Sequence, residues 1–208
     1  FGLHAMIDYL VHVYGVNSKP FMNISALPDK EALQLMEALY VEGEVFWKRF
    51  ENPKRYLDHR KQVEQWLRES FIAKGGEPQE AYPIYMVLGR PKWEEKRMSV
   101  ALQTILRDIE VPLSILGEGD VSFTYPDSMV SWTLKQEKDP SCYQPGYHGE
   151  VFTRSEIFAI IEKKGMPDEG WETNVPKHMA HYIEAQVWNR KGLLDYKKQL
   201  DDDERMKG

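Results

Sequence analysis

The chain reads as a single α+β domain, with a central, mostly antiparallel sheet flanked by helices and a helical stretch in the first third. Three observations predict it. Two amphipathic stretches occupy most of residues 29–74. The β-type runs that follow are short and unevenly spaced, which does not suit regular parallel βαβ units. The 208 residues are 42% hydrophobic and 29% charged, the balance of one soluble globular domain over 1–208.

"YLVHVYG" at 9–15 is rich in β-branched and aromatic residues and stops at Gly15, so it is expected to be a strand. Asp29 is placed to cap a helix through Tyr40, with Leu33, Met36 and Leu39 on its apolar face. A longer helix is expected over 53–74, with a stripe of Tyr56, Val63, Trp66, Leu67 and Phe71, ending at Gly75-Gly76. "YPIYMVLG" at 82–89 reads as a buried strand. Residues 93–110 read as a helix with an irregular face, and "EVPLSIL" and "DVSFTYPDS" as extended segments around the turn "GEGD". Thr153 and Glu156 have the spacing of a capping box, followed by Ile157, Ile160 and Ile161, with Gly165 as the stop. A charged tail is expected from about 197, where "DDDE" begins at 201.

The net charge of −6 argues against a globally basic nucleic-acid binder. Basic residues do cluster in "FWKRFENPKRYLDHRK" at 46–61, interleaved with Glu51 and Asp58 in the manner of a solvated helix face. The single Cys142 excludes an internal disulfide and a thiolate-rich zinc site, and agrees with a reducing, cytoplasmic setting. No apolar run approaches the ~20 residues that span a bilayer. "FGLHAMIDYLVHVYG" lacks the basic start and cleavage site of a signal peptide. Rossmann, P-loop, nucleophile-elbow and Cys-x-x-Cys motifs are missing too.

"HMAHYIEAQVWNR" at 178–190 can be taken in two ways. As a helix it would set His178, His181 and Glu184 on one face, a reasonable zinc or iron set, but without the His-Glu-x-x-His order of helical zinc sites. As a strand it alternates cleanly, Ile183, Ala185 and Val187 on one side, Tyr182, Glu184, Gln186 and Trp188 on the other. The strand is preferred, from near His181 to the "NRKG" turn, and it makes Glu184 the residue of interest. In "VSFTYPDSMVSW", Ser122, Thr124, Tyr125, Asp127 and Ser128 form either a Pro-Asp-Ser turn with Asp127 as a cap, or a polar rim at a strand end. His148 is a candidate acid-base group, and His12, within an apolar strand, reads as a core histidine.

"PIYMVLG", "VSFTYPDSMVSW", "YHGEVFT" and "HYIEAQVW" look like a bacterial family of unknown function. The order of elements also resembles the ADP-ribosyltransferase fold of DarT-type DNA-modifying toxins. In that resemblance "LVHVYG" supplies an NAD-contacting strand, "SFTYPDS" the central segment, and "IEAQVW" the strand bearing the catalytic glutamate. It implies NAD as a substrate and no metal, with His12 on the adenine-side ribose, Tyr125 against nicotinamide, and Asp127 and Gln186 in the binding site. Glu184 would stabilise the positive charge developing on the ribose. The sequence departs from the family in its Glu184-Ala185-Gln186 order: either Glu184 is displaced by two places or Gln186 holds the glutamate's position. No counterpart of the family's central arginine stands out.

An NAD-binding ADP-ribosyltransferase-like protein, with a protein or nucleic-acid acceptor, is therefore the leading expectation. The alternative is a non-catalytic interaction domain docking through 29–74, with Trp47, Tyr56 and Trp66 as aromatic anchors. Metal-dependent hydrolysis through His178, His181 and Glu184 ranks third.

Overall fold

A computed structural model of the chain describes residues 6–40, 45–91, 104–167 and 181–207. Within them, five strands form one antiparallel sheet: β1 (Tyr9–Gly15), β2 (Ile84–Leu88), β3 (Leu106–Pro112), β4 (Val121–Thr124) and β5 (Glu184–Val187). Their spatial order is β3-β1-β2-β5-β4. The longer helices are α1 (Asp29–Leu39), α2 (Pro53–Ala73), α3 (Ser128–Glu137), α4 (Arg154–Lys164) and α5 (Arg190–Lys207). This is the expected α+β plan, a central sheet with helices on both sides.

Register decides which side chains share a face. Tyr85 and Ser122 both stand opposite Gln186, while Val87 and Thr124 both stand opposite Glu184. Since paired residues project to the same side, Tyr85, Ser122, Thr124, Glu184 and Gln186 lie on one face. Trp188 continues that parity, and Val63, Leu67 and Phe71 of α2 pack against it, with Met129 and Trp132 of α3 alongside. The opposite face carries Leu10, Met86, Val121, Phe123, Ile183, Ala185 and Val187, covered by Ile157 of α4 and Leu193 of α5. Ala32 and Met36 of α1 close the base of α2 through Leu57 and Phe50.

A polar knot ties α2 to the sheet. Glu64, fully buried, accepts on Oε1 from Asn23 Nδ2 (2.8 Å), Tyr85 Oη (2.9 Å) and Arg60 Nε (3.2 Å). Arg60 also donates to Tyr56 Oη and Asn23 Oδ1, and its guanidinium lies over the Tyr85 ring. Burial works against its charge, but Tyr56, Tyr85 and Glu64 outweigh that and raise its pKa.

Three local expectations are corrected. The helix expected over 93–110 does not reach its far end: residues 93–103 lie outside the described residues, and the helical turn at 104–105 gives way to β3. β1 offers a seven-residue antiparallel partner from Tyr9↔Pro112 to Gly15↔Leu106. Arg90 bonds both Asp108 and Glu110, which are neighbours on one face only in a strand. "NRKG" is not a turn but the start of α5, where Asn189 Oδ1 accepts from Gly192 N. The charged segment after 197 continues in that helix to Lys207. At α1 the cap position is Pro28, with Asp29 the first helical residue.

Asn52 caps α2, accepting from Arg55 N at 3.1 Å. Thr153 and Glu156 form the expected capping box of α4, Glu156 Oε2 accepting from Thr153 N at 2.8 Å and Thr153 Oγ1 from Glu156 N at 3.3 Å. Thr153→Ala should lower stability by about 1 kcal/mol, read from the urea midpoint. Glu64→Ala should cost about 3 kcal/mol, because the largely buried Arg60 loses its carboxylate. A midpoint within error of wild type would show that the knot contributes nothing.

Candidate functional site

Glu184 is the first residue of β5, and its parity turns it under the start of α3. The chain leaves β4 at Thr124, passes Tyr125-Pro126, and enters α3 at Ser128, with Asp127 as the cap whose Oδ1 accepts from Val130 N at 3.1 Å. The helix start therefore sits over the carboxylate. Ser128 N donates to Glu184 Oε1 at 3.2 Å, and Gln186 Nε2 donates to the same oxygen at 3.0 Å.

Behind the carboxylate runs a row of buried polar groups. Gln186 Nε2 also donates to Thr124 Oγ1 at 3.0 Å. Gln186 Oε1 accepts from Ser122 Oγ at 2.8 Å, and Ser122 Oγ accepts from Trp188 Nε1 at 3.0 Å. Ser122, Thr124, Gln186 and Trp188 are each 0% exposed, whereas Glu184 is 8% exposed. Of this row, only Glu184 retains any exposure among the described residues.

Burial raises the Glu184 pKa from its ordinary 4.5 to about 7, and the neighbouring Asp127 carboxyl pushes the same way. Gln186 and Ser128 oppose the rise by bonding the charged form. Asp127 is raised as well, chiefly by burial, while its backbone donors and the charge of Arg49 pull it down. The charge of Asp127 thus disfavours the ionised form of Glu184. Tyr85, between the two buried glutamates, is raised well above its usual range by burial.

Glu184, Asp127 and Gln186 are thus brought together. His12 and Tyr125 are not: the pocket expected to join them to Glu184 does not form among the described residues. Val11 pairs with Val87, and Val87 with Glu184, so His12, one residue on, projects to the other side of the sheet. Its Nε2 accepts from Phe21 N at 2.8 Å and its Nδ1 lies 3.1 Å from Tyr85 O, while burial lowers its pKa. Tyr125 belongs to the apolar core of that other side, its ring stacked 6.2 Å from His148. His148 is fully buried, with Nδ1 accepting from Gln144 N.

The helical metal arrangement is not formed, because residues 184–187 are strand and 181–183 are non-helical; His178 lies outside the described residues. Of the proposed docking anchors, Tyr56 is occupied by Arg60 and by an edge-on contact with Phe50. Trp66 packs against the cluster of Val63, Leu67, Phe71 and Trp188, and the Trp47 side chain lies outside what the structure describes. A groove of about 430 Å³ follows the first turns of α2 (Asn52, Lys54, Arg55, Asp58, His59, Gln62), and one of about 190 Å³ follows α3 (Met129, Val130, Thr133, Leu134). Glu184 lines neither.

Sequence reasoning named Ser122 and Thr124 only as a rim of hydroxyls and missed Glu64, Arg60 and Tyr85. A signal existed: Leu57, Glu64 and Phe71 step by seven along α2, so Glu64 stands in the apolar stripe.

The class defined by fold and site is an α+β protein with a buried carboxyl, Glu184, beside the Asp127 cap at the junction of a strand and a helix start. Comparisons with protein-family models, with curated proteins and with solved structures find no match for this chain.

The raised pKa has a consequence for stability. Below pH 4.5 Glu184 is protonated folded or unfolded. As pH rises from 4.5 to about 7 the native state holds the proton more tightly, so stability contributed by that proton is lost. Glu184→Gln should therefore be stabilised relative to wild type at pH 8 and not at pH 4, measured by urea unfolding at both. Equal differences at the two pH values would refute the shifted titration.

Proposed function

We propose that this protein is an NAD-consuming, ADP-ribosyltransferase-like enzyme in which Glu184 is the catalytic carboxylate. The observation that carries the reading is the placement of Glu184: a buried carboxyl with 8% of its surface exposed, held by two preorganised donors on one oxygen. Cleavage of the nicotinamide–ribose bond develops positive charge on the ribose. A carboxylate in a water-poor site stabilises that charge far better than one in water. The cationic nicotinamide ring would also draw Glu184 toward its ionised form on binding.

Glu184 rather than Gln186 is the working group, because both Gln186 hydrogens and its carbonyl oxygen are already engaged within the sheet. Asp127, the cap of α3 and the carboxyl that acts on Glu184, would take the proton of an incoming acceptor, protein or nucleic acid. The ribose contact that the resemblance gives to His12 is not offered on this face, so the reading rests on Glu184 and Asp127.

Nicotinamide release from NAD, with and without protein or nucleic-acid acceptors, tests it. Activity should rise with pH through about 7 as Glu184 ionises. Glu184→Gln should lower it by roughly a hundredfold or more with the fold intact by circular dichroism. Undiminished turnover in that variant, or no binding of NAD at millimolar concentration, would overturn the reading. A rate that falls as pH rises would recast Glu184 as a proton donor.

A further inference from the structure

We propose that Trp188, Ser122 and Gln186 form a one-way hydrogen-bond chain that makes Gln186 a positioning residue, its amide N–H held toward Glu184 by a signal of donor polarity that starts in the core. The significance for catalysis rests on the reading of Glu184 above; the chain itself stands on the geometry.

The direction follows from what each group can do. The indole N–H can only donate, and it donates to Ser122 Oγ at 3.0 Å. The Ser122 hydroxyl, fully buried, then has its own hydrogen to place, and Gln186 Oε1 lies 2.8 Å away to accept it. That fixes which end of the Gln186 amide is oxygen, an assignment that rests on the bonding network. The NH₂ end is left facing Glu184 Oε1 and Thr124 Oγ1, both at 3.0 Å. The reversed amide would turn its oxygen against the carboxylate and leave the Ser122 hydrogen buried without an acceptor, a loss on two counts. The Trp188 ring is itself clamped, stacked 6.4 Å from Phe71 of α2.

Other charged or titratable groups bear on the same region. Asp127 at the start of α3 opposes ionisation of Glu184. Tyr85 on β2 feels Glu184, Glu64 and Arg60, and Arg49 acts on Asp127. Asp127, Tyr85 and Arg49 make no hydrogen bond to Gln186 among the described residues, so the amide can be altered without removing a bond of theirs.

The test is titration of the Glu184 side-chain carboxyl by carbon-13 NMR on the full chain, assigned by its absence in Glu184→Gln; it needs no substrate. Ser122→Ala frees the amide to reverse, and Gln186→Met removes the donor with little change of shape. Each should move the Glu184 midpoint up by about one pH unit, a tenfold change in the ionised fraction at a given pH. Ser122→Thr, which keeps the hydroxyl, should restore the wild-type midpoint. If Ser122→Ala fails to fold, Gln186→Met carries the same expectation. A midpoint unmoved in a folded Gln186→Met, or a Ser122→Thr chain that titrates away from wild type, overturns the proposal. Because NAD turnover is a separate measurement, a protein with no such activity but shifted midpoints would keep the positioning chain and discard only the enzyme.

Discussion

Strands β4 and β5 are covered on both faces, and that double burial constrains everything their polar side chains do. Every residue of Val121–Thr124 and of Glu184–Val187 is buried. A buried polar group left without a partner costs roughly 1–3 kcal/mol. Ser122, Thr124, Glu184 and Gln186 escape that cost because the strands meet in a register that sets Ser122 against Gln186 and Thr124 against Glu184. A slip of β5 by one residue would drive Glu184 and Gln186 into the apolar layer with Phe123 and leave Ser122 and Thr124 without them, so the polar row and the register hold one another in place.

Two carboxyl groups meet at that face, Glu64 from α2 and Glu184 from β5, in different electrostatic surroundings. Glu64 is bonded by Arg60, Tyr85 and Asn23, an arrangement that joins a helix to a sheet. Glu184 is bonded by the neutral Gln186 amide and the Ser128 N–H, with Asp127 close by. Dipoles soften the cost of burying a charge less than a guanidinium does. The outcome is a carboxyl whose pKa burial pushes up to about 7. The start of α3 over Glu184 partly offsets the penalty through its positive end.

Much of this was legible before folding was considered. The capping box at Thr153 and Glu156, the cap at Asp127 and the alternation of Ile183, Ala185 and Val187 against Glu184 and Gln186 all rest on spacings a sequence displays. Each is a local rule, satisfied within a few residues. The errors fell where local preference met a distant partner. The helical pattern expected as far as residue 110 yielded to β1, which pairs with Leu106–Pro112 along its whole length. "NRKG" looked like a turn, yet Leu193 beyond it had an apolar layer to join, and the chain turned helical there.

The sequence by itself determined the class of fold, most elements, and the parity that puts Glu184 and Gln186 on the same side of a strand. Period-two alternation is carried by the chain wherever it goes. Only the tertiary structure decided that both sides of that strand would be covered, that Glu64 would be enclosed with Arg60, and that His12 would face away from Glu184. The last depends on a single residue of offset: Val11, not His12, stands across from Val87 and so on the Glu184 side. Nothing within residues 9–15 specifies that offset, because register is a relation between strands some seventy residues apart and is set by the packing of the layers they share.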